Sequence, residues 1–492
     1  MIVGEGAAGG VRTRHRRLAR SARASGLGVE FTLSGAMLAV LWGVFAFGAV
    51  YSWAYTPLAG ACALTGAVGV VRGRRAVPVA IAIALAAVAV AIGVQLVPVP
   101  PTWIAAISPE ADRVLARYDL AYGIARAGSL GGAYRHALTI DPARSWLGLG
   151  LFTGFGLFLL GVAAILDDRS AARLADAVIA TGAAVAIVAM IVGSNTHGLV
   201  YGVWRPFGRG APFGPFVNRN HFAGWMLMAA PLALGRVLAR LDAMKVRAKP
   251  DWRSRILWLS TSEAGGLILT SCAAAVMAMS VFLSLSRTGV ACLIGTLVVF
   301  AVLAAVRTGK AGGVATVTFI AAIATLCVVG AATVQLQARF GELQQEGMRP
   351  RTDVWRDAWA TAERFPLVGS GLNTFGVTML FFQTTDRVEH YAEAHNDYLQ
   401  LAEEGGLLIA IPAFALALAV AATVRRRFAG DDRRAYYLRL GAVCGLAAIA
   451  AQETAEFSLQ MPGNVALFCV VAALALHRTH HRAPSTHASL TV

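Results

Sequence analysis

A histidine stands in a polar segment that leads directly into a long apolar run. The segment reads EAHNDYLQLAEEGG from residue 393, and LLIAIPAFALALAVAATV follows it. A histidine can accept a proton near neutral pH, so His395 is a candidate general base. The alternative is that His395 only caps or packs a short helix that runs from about Asn396 to Glu404. Asp397, Glu403 and Glu404 are interpreted as solvated carboxylates rather than catalytic ones.

Two arginines stand where they could hold a phosphate. Arg287 lies in SLSRTG between two apolar runs, and Arg351 lies one helical turn before Trp355. A guanidinium can bind a phosphate through two parallel hydrogen bonds. The alternatives are that Arg287 snorkels to a membrane interface and that Arg351 lies on a solvated helix face.

A second polar cluster lies where another apolar run begins, in GPFVNRNHFAGWM. Asn218, Arg219, Asn220 and His221 are candidates to line a polar cavity there. Asn218 or Asn220 would equally suit the cap of a helix that starts at this point. Both interpretations place the cluster at the N-terminus of a helix.

Several common catalytic motifs are absent from the sequence. The chain has no GxxxxGK[ST] phosphate loop, no HExxH, no GxSxG and no zinc-spaced cluster of His, Cys and carboxylates. ATP-driven transport and zinc hydrolysis are therefore disfavoured, and no metal or cofactor is expected. The centres of the apolar runs hold almost no ionisable groups, which disfavours an ion-coupled transporter.

The composition indicates a membrane protein. Hydrophobic residues make up 57% of the 492 residues and charged residues 14%, against about 25% charged in soluble proteins. The mean hydropathy is +0.62. The net charge of +16 is attributed to Lys and Arg in cytoplasmic loops rather than to nucleic-acid binding.

The apolar runs predict an all-α polytopic membrane protein with about twelve transmembrane helices. The predicted spans are 31–50, 55–71, 77–97, 145–166, 175–193, 220–239, 264–285, 290–306, 313–333, 407–424, 437–452 and 463–477. The corresponding regions are a basic tail (1–30), helices one to nine (31–333), a large loop (334–406), helices ten to twelve (407–477) and a second tail (478–492).

Charge in the connecting loops predicts the orientation. If the basic N-terminal tail is cytoplasmic, the alternating cytoplasmic connections carry most of the 43 Lys and Arg residues. The short loops VRGRR and RRRF contribute the clearest signal, because charge in short loops sets orientation. Both termini are therefore predicted to be cytoplasmic. The long loops 98–144, 194–219 and 334–406 then lie on the outer face.

The large loop is predicted to be partly helical. In RTDVWRDAWATAERF, Trp355, Ala358, Trp359 and Ala362 recur at helical spacing. FPLVGSG follows with the Pro and Gly residues that end helices. Trp355 is taken as a candidate substrate-binding residue on this helix.

Five motifs together resemble the bacterial O-antigen ligase and polymerase superfamily of membrane glycosyltransferases. AHNDYLQLAEEGGLL resembles the family signature of His-Asn, nine residues and Gly, which ends here at Gly406. The other four are GPFVNRNHFAGW, SLSRTG, RTDVWRDAWATAERFPLVGSGLNTF and FSLQMPGN. Two positions depart from the family pattern: Ile409 stands three residues after the signature Gly, where the family often has Gly, Thr or Tyr, and QETAEFSL stands where relatives often have a His.

The resemblance implies a GT-C-like fold and an inverting glycosyltransferase in the bacterial inner membrane, with a periplasmic active site. The implied donor is a glycan on undecaprenyl diphosphate, and the acceptor is a lipid A–core sugar or another glycan. The functional histidine falls on His395, next to Asn396 of the signature, and the functional arginines fall on Arg287 and Arg351. A repeat-unit polymerase and a flippase or exporter of lipid-linked sugars remain as alternatives.

Overall fold

The structure is a computed structural model of the chain. It describes residues 6–73, 77–128, 133–193, 198–206, 211–245, 257–258, 260–307, 321, 349–385 and 390–479. Within these ranges the chain forms helices joined by loops, with three isolated β-bridges and no extended strand.

The helices are numbered here in chain order. They are α1 (Gly6–Phe45), α2 (Ser52–Arg72), α3 (Val79–Gln95), α4 (Pro101–Ile107), α5 (Pro109–Tyr118), α6 (Leu120–Arg126), α7 (Pro142–Ile165), α8 (Asp168–Gly193), α9 (Arg219–Lys245), α10 (Ser262–Leu283), α11 (Arg287–Arg307), α12 (Arg349–Ala362), α13 (Phe375–Phe382), α14 (Asp397–Phe428), α15 (Arg433–Gln452) and α16 (Pro462–Leu476).

Nine of these helices are long and apolar enough to cross a membrane, counting only the described ranges. They are α1, α2, α7, α8, α9, α10, α11, α14 and α15. The apolar helices α3 and α16 are shorter, with 17 and 15 residues. Eleven of the twelve predicted spans coincide with these helices, and the span predicted at 313–333 lies outside the described residues. The prediction of an all-α, multi-pass membrane protein is thereby confirmed.

Helix α9 lies at the centre of the bundle. It packs against α8, α10, α15 and α16, and 94% of its most apolar stretch is buried. Elsewhere the helices approach closely through small residues. A Cβ on Gly66 of α2 or on Gly161 of α7 would lie within 2.4 Å of the other helix's backbone, as in other membrane helix pairs. The central position of α9 carries the GPFVNRNHF segment into the middle of the molecule.

The long loops form a small folded layer at one end of the bundle. Helices α4, α5 and α6 belong to the first loop, and α12 and α13 to the large loop. Phe365 of the large loop packs with Ile104, Leu115 and Tyr122 of the first loop. The prediction that the large loop is partly helical agrees with the described part of it.

Helix α12 buries a different face from the one predicted. Val354, Asp357, Ala358 and Thr361 are buried, whereas the Trp359 side chain is 60% exposed. The Asp357 carboxylate accepts hydrogen bonds from the backbone N–H and hydroxyl groups of Thr384 and Thr385. This polar anchor turns the helix so that Trp359 faces outward, which a hydrophobic periodicity does not reveal.

Helix α14 is broken at Gly406, at the end of the signature motif. Gly406 has φ 52° and ψ −159°, a conformation outside the helical region. The N–H groups of Leu407 and Leu408 bond to the carbonyls of Pro366 and Leu367, both at 2.9 Å. The loop that ends α12 therefore satisfies the backbone of the broken helix, as buried breaks in membrane helices require.

Candidate active site

His395 lies just before α14 rather than on it. Its backbone is left-handed, with φ 52°, which is uncommon for a residue other than glycine. Asn396 is the N-cap, and its Oδ1 accepts a hydrogen bond from the Leu399 N–H at 3.0 Å. His395 therefore precedes the helix, and the Asn396 side chain has a capping role.

Glu456 holds together the groups around His395. Its Oε1 accepts hydrogen bonds from Nη2 of Arg351 at 2.6 Å and from the hydroxyl of Thr288 at 3.1 Å. Its Oε2 lies 3.8 Å from Nδ1 of His395, an ion-pair distance that is longer than a hydrogen bond. A buried carboxylate from the loop between α15 and α16 thus contacts three residues of the segment 288–395.

The neighbours of Glu456 stabilise the negative charge of its carboxylate. Burial alone would raise the pKa of the Glu456 carboxyl, but the neighbouring His395 and Arg351 more than offset this and hold the pKa below its usual value. The group is therefore an anion at neutral pH.

A phenylalanine brings two histidines together. The Phe457 ring lies edge-on to the His395 ring at 4.7 Å and to the His221 ring at 4.6 Å, measured between ring centroids. His221 is buried at the start of α9, and its backbone carbonyl accepts a hydrogen bond from Asn464. The structure therefore joins the two histidines that the sequence placed in separate motifs.

The remaining residues of the GPFVNRNHF segment have structural contacts. Asn218 Oδ1 accepts a hydrogen bond from the Asn220 N–H at 2.8 Å, as a helix cap does. The Asn220 carbonyl accepts hydrogen bonds from Gln452 at 2.9 Å and Ser458 at 3.4 Å, and the Arg219 N–H bonds to the backbone of loop residue 211. These contacts fix the 452–458 segment that carries Glu456.

Arg287 and Trp355 lie next to residues of the site. Arg287 is exposed at the first position of α11, and the following residue, Thr288, bonds to Glu456. Trp355 lies one turn after Arg351 on α12 and is half-buried. The structure therefore brings Arg351, His395 and His221 together and places Arg287 and Trp355 at the edge.

Four polar atoms of this site are buried and have no hydrogen-bond partner among the described residues. They are His395 Nδ1, His221 Nε2, Trp355 Nε1 and Glu456 Oε2. A native protein leaves few such atoms, and each one calls for a water or a ligand. Two of them, His395 Nδ1 and Glu456 Oε2, face each other at 3.8 Å.

The carboxylates of the signature motif are not solvated, contrary to the interpretation of Glu403 and Glu404 from sequence. Both are buried. The Glu404 carboxylate accepts hydrogen bonds from the N–H groups of Asn373 and Phe375. The cause is the 365–375 segment, which folds over the first turns of α14 and excludes water from a face that looks polar in sequence.

Sequence reasoning missed Glu456 altogether. The available signal was an acidic residue in the short loop between two apolar runs, in the QETAEFSL stretch that departs from the family pattern. Nothing in its spacing relative to His395 or Arg351 indicates contact, because these residues meet only in the folded bundle.

Residues 272–414 match the model of the O-antigen ligase family. This part of the chain is therefore similar to the O-antigen ligase family. The match confirms the resemblance that the motifs indicated, and it covers less than a third of the chain. No curated protein matches the chain.

The O-antigen ligase segment contains Arg287, Arg351 and His395, whereas His221 and Glu456 lie outside it. The site is therefore assembled from the family segment, from the start of α9 before it and from the loop between α15 and α16 after it.

Proposed function

We propose that the protein transfers a glycan from undecaprenyl diphosphate to a lipid A–core sugar or a similar acceptor at the periplasmic face of the inner membrane. The observation that carries the proposal is the contact of Glu456 with His395 and Arg351, both of which lie in the segment that matches the O-antigen ligase family. The family supports ligase-type chemistry, and the site supplies a base and cations for it.

The roles of the residues follow from the charge changes in the reaction. The acceptor hydroxyl oxygen forms a bond to the anomeric carbon while the bond from that carbon to the diphosphate oxygen breaks. His395 takes or orients the hydroxyl proton, and Glu456 stabilises the imidazolium that results. Such a base contributes about 10²–10⁴-fold to the rate.

The leaving diphosphate gains negative charge, which Arg287 and Arg351 would stabilise. A guanidinium has five N–H donors, and the bond from Arg351 to Glu456 uses one of them. Arginines that stabilise a developing charge act most strongly in a site from which water is excluded. Attack opposite the leaving group inverts the anomeric centre, and this mechanism calls for no metal.

The remaining polar residues would either bind substrate around this centre or hold the backbone that forms it. His221 and Trp355 each present a buried ring nitrogen with no partner among the described residues, and a sugar hydroxyl would supply one. Asn218, Arg219, Asn220 and Asn396 would act mainly through the backbone that they hold in place.

The orientation follows from the loop charges. Basic short loops favour cytoplasmic termini, so the layer of long loops and the His395 site would face the periplasm. Cysteine labelling of intact cells tests this directly: a cysteine introduced at His390 should react with a membrane-impermeant reagent, and one introduced in the VRGRR loop should not.

Glycan analysis of a deletion strain distinguishes the proposed function from its alternatives. A ligase predicts that long lipid-linked chains accumulate without attachment to lipid A. Single-unit chains would identify a polymerase instead. If His395→Ala changes only the amount of glycan delivered and not its structure, the protein is an exporter and the proposed chemistry is wrong.

A further inference from the structure

Helix α14 presents an apolar face to its surroundings. Leu407, Ile411, Phe414 and Leu418 are each more than half exposed, and they recur at a spacing of three or four residues. Only 17% of the most apolar stretch of α14 is buried, the smallest fraction among the nine long apolar helices of the described ranges. In a membrane, this face of α14 contacts lipid chains.

The apolar face leads to an arginine. Arg425 lies 18 residues after Leu407, which is about five helical turns and returns to the same side of the helix. The rise over this distance is about 27 Å, close to the roughly 30 Å thickness of the hydrocarbon core of a bilayer. Leu407 and Arg425 therefore lie near opposite edges of the core, and the guanidinium of Arg425 reaches the level of the lipid headgroups.

Three consecutive arginines form the last turn of α14. Arg425 and Arg426 are exposed, and Arg427 is partly buried. The Nε of Arg426 donates to the Ala422 carbonyl at 3.2 Å, which uses one of the five donors of the guanidinium. The Nε of Arg427 is buried and has no hydrogen-bond partner among the described residues. This turn therefore offers N–H donors to an anion.

The carboxylates that follow this turn in the chain are already engaged. Asp431 forms a two-bond ion pair with Arg439, at 2.6 Å and 2.8 Å, and both side chains are buried. Asp432 caps α15, where it accepts a hydrogen bond from the Ala435 N–H at 2.8 Å. Within the described ranges, no carboxylate lies at ion-pair distance from the three arginines of the last turn. Their charge is thus left for an external anion to balance.

Arg439 also fixes the position of the turn. Its guanidinium lies 5.9 Å from the centre of the Phe428 ring at the end of α14. It donates hydrogen bonds to the backbone carbonyls of Ala475 and His477 at the end of α16. One buried arginine of α15 therefore ties together the ends of α14 and α16. A turn that is held in place loses less conformational entropy when it binds a ligand.

We propose that the last turn of α14 binds an anionic phospholipid, with the headgroup phosphate at Arg425 and Arg426 and an acyl chain along the Leu407–Leu418 face. A guanidinium binds a phosphate through two parallel hydrogen bonds, and the net negative head balances the charge of the turn. Since α14 begins two residues after His395, this lipid site lies at the other end of the helix from the candidate active site. The inference does not depend on the proposed transfer reaction.

Native mass spectrometry of the full-length protein in detergent tests the assignment. The probes are phosphatidylglycerol and phosphatidylethanolamine with identical acyl chains, which share the phosphate but differ in net charge. We expect phosphatidylglycerol to be retained about tenfold more strongly. Equal retention of the two lipids overturns the proposal and leaves the arginines with a role in membrane orientation alone.

A pair of double variants tests the position of the site. Arg425→Gln combined with Arg426→Gln should lower the retention of phosphatidylglycerol about tenfold. The matched control is Arg113→Gln combined with Arg356→Gln, which removes the same charge from two exposed arginines of the outer layer that already pair with carboxylates. The control should retain the lipid as the wild type does. If the two double variants retain equal amounts, the proposed position is wrong.

Inorganic phosphate distinguishes a lipid site from a site for a free anion. It should not displace phosphatidylglycerol from the unsubstituted protein, because it lacks the chain that lies on the apolar face. Displacement by an equal concentration of inorganic phosphate overturns the lipid assignment.

Thermal unfolding in detergent shows whether the lost lipid retention is specific. Phosphatidylglycerol should raise the unfolding midpoint of the wild type, because a ligand of the folded state stabilises it. The midpoint of the Arg425→Gln, Arg426→Gln variant should match the wild type without lipid and rise less with it. An equal rise in both proteins contradicts the proposal.

Discussion

His395 faces the buried carboxylate of Glu456, with Nδ1 3.8 Å from Oε2. The same carboxylate accepts a hydrogen bond from Arg351 at 2.6 Å. One anion thus orients both the candidate base and a candidate phosphate-binding cation. A substitution of Glu456 therefore tests the candidate base and the candidate phosphate-binding cation together.

Replacing Glu456 by Gln should lower glycan transfer about 10²-fold. The amide keeps the size of the side chain but removes the charge that faces His395 and Arg351. Transfer is measured with purified protein and a lipid-linked glycan. The control is Glu363→Gln, which removes an exposed carboxylate from the same outer layer. Wild-type transfer in Glu456→Gln would show that the carboxylate has only a packing role.

Replacing Arg351 by Gln should lower transfer about 10²–10³-fold, because the leaving diphosphate loses a cation. Arg356 offers a matched control on the same helix, since it is exposed and pairs with Asp353 at 3.3 Å. Arg356→Gln should keep the wild-type rate. Equal losses in the two variants would mean that α12 is merely destabilised and that Arg351 has no special role.

Gly406→Ala should destabilise the protein. Gly406 has a positive φ, and a Cβ there would lie 2.6 Å from the backbone nitrogen of Gly369. Strain of this kind costs about 1–3 kcal/mol. Gly265→Ala is the control, because a Cβ at that position meets nothing within 4 Å. Thermal unfolding in detergent should show a lower midpoint for Gly406→Ala alone. An unchanged midpoint would argue against the break in α14.

The stability of the protein should fall as pH rises through the neutral range. Burial raises the pKa of the Glu393 carboxyl to about 8. Between its usual value and about 8, the folded state holds a proton that the unfolded state releases, so each step up in pH favours unfolding.

Glu393→Gln tests this sign, because the amide stays neutral at every pH. The decrease in unfolding midpoint between pH 5 and pH 9 should be smaller in this variant than in the wild type. Glu363→Gln again serves as the control and should follow the wild-type curve. A Glu393→Gln curve parallel to the wild type would show that Glu393 is ionised in the folded protein.

The sequence predicted the helices well because each long apolar run can satisfy its backbone in a membrane only as a helix. It also predicted the end of α12 at FPLVGSG and the separate helix after His395. The break at Gly406 explains why the two parts of α14 read as different elements. The span predicted at 313–333 stays a prediction.

The arrangement of the site could not be predicted from the sequence, because its contacts join segments that are far apart in the chain. His221 at the start of α9 and His395 just before α14 both contact Phe457 in the loop before α16. Glu404 looked solvated because its neighbours in sequence are polar, yet the 365–375 segment covers it. Burial of this kind depends on tertiary packing, which no local periodicity encodes.

Transfer by purified protein in lipid vesicles tests the central claim most directly. The substrate is a labelled glycan on undecaprenyl diphosphate, with the acceptor in the same vesicles, and the variants are His395→Ala and His390→Ala. His390 is an exposed histidine of the same loop. We predict that His395→Ala loses transfer by at least about 10²-fold while His390→Ala keeps it. Wild-type transfer in His395→Ala would contradict the account.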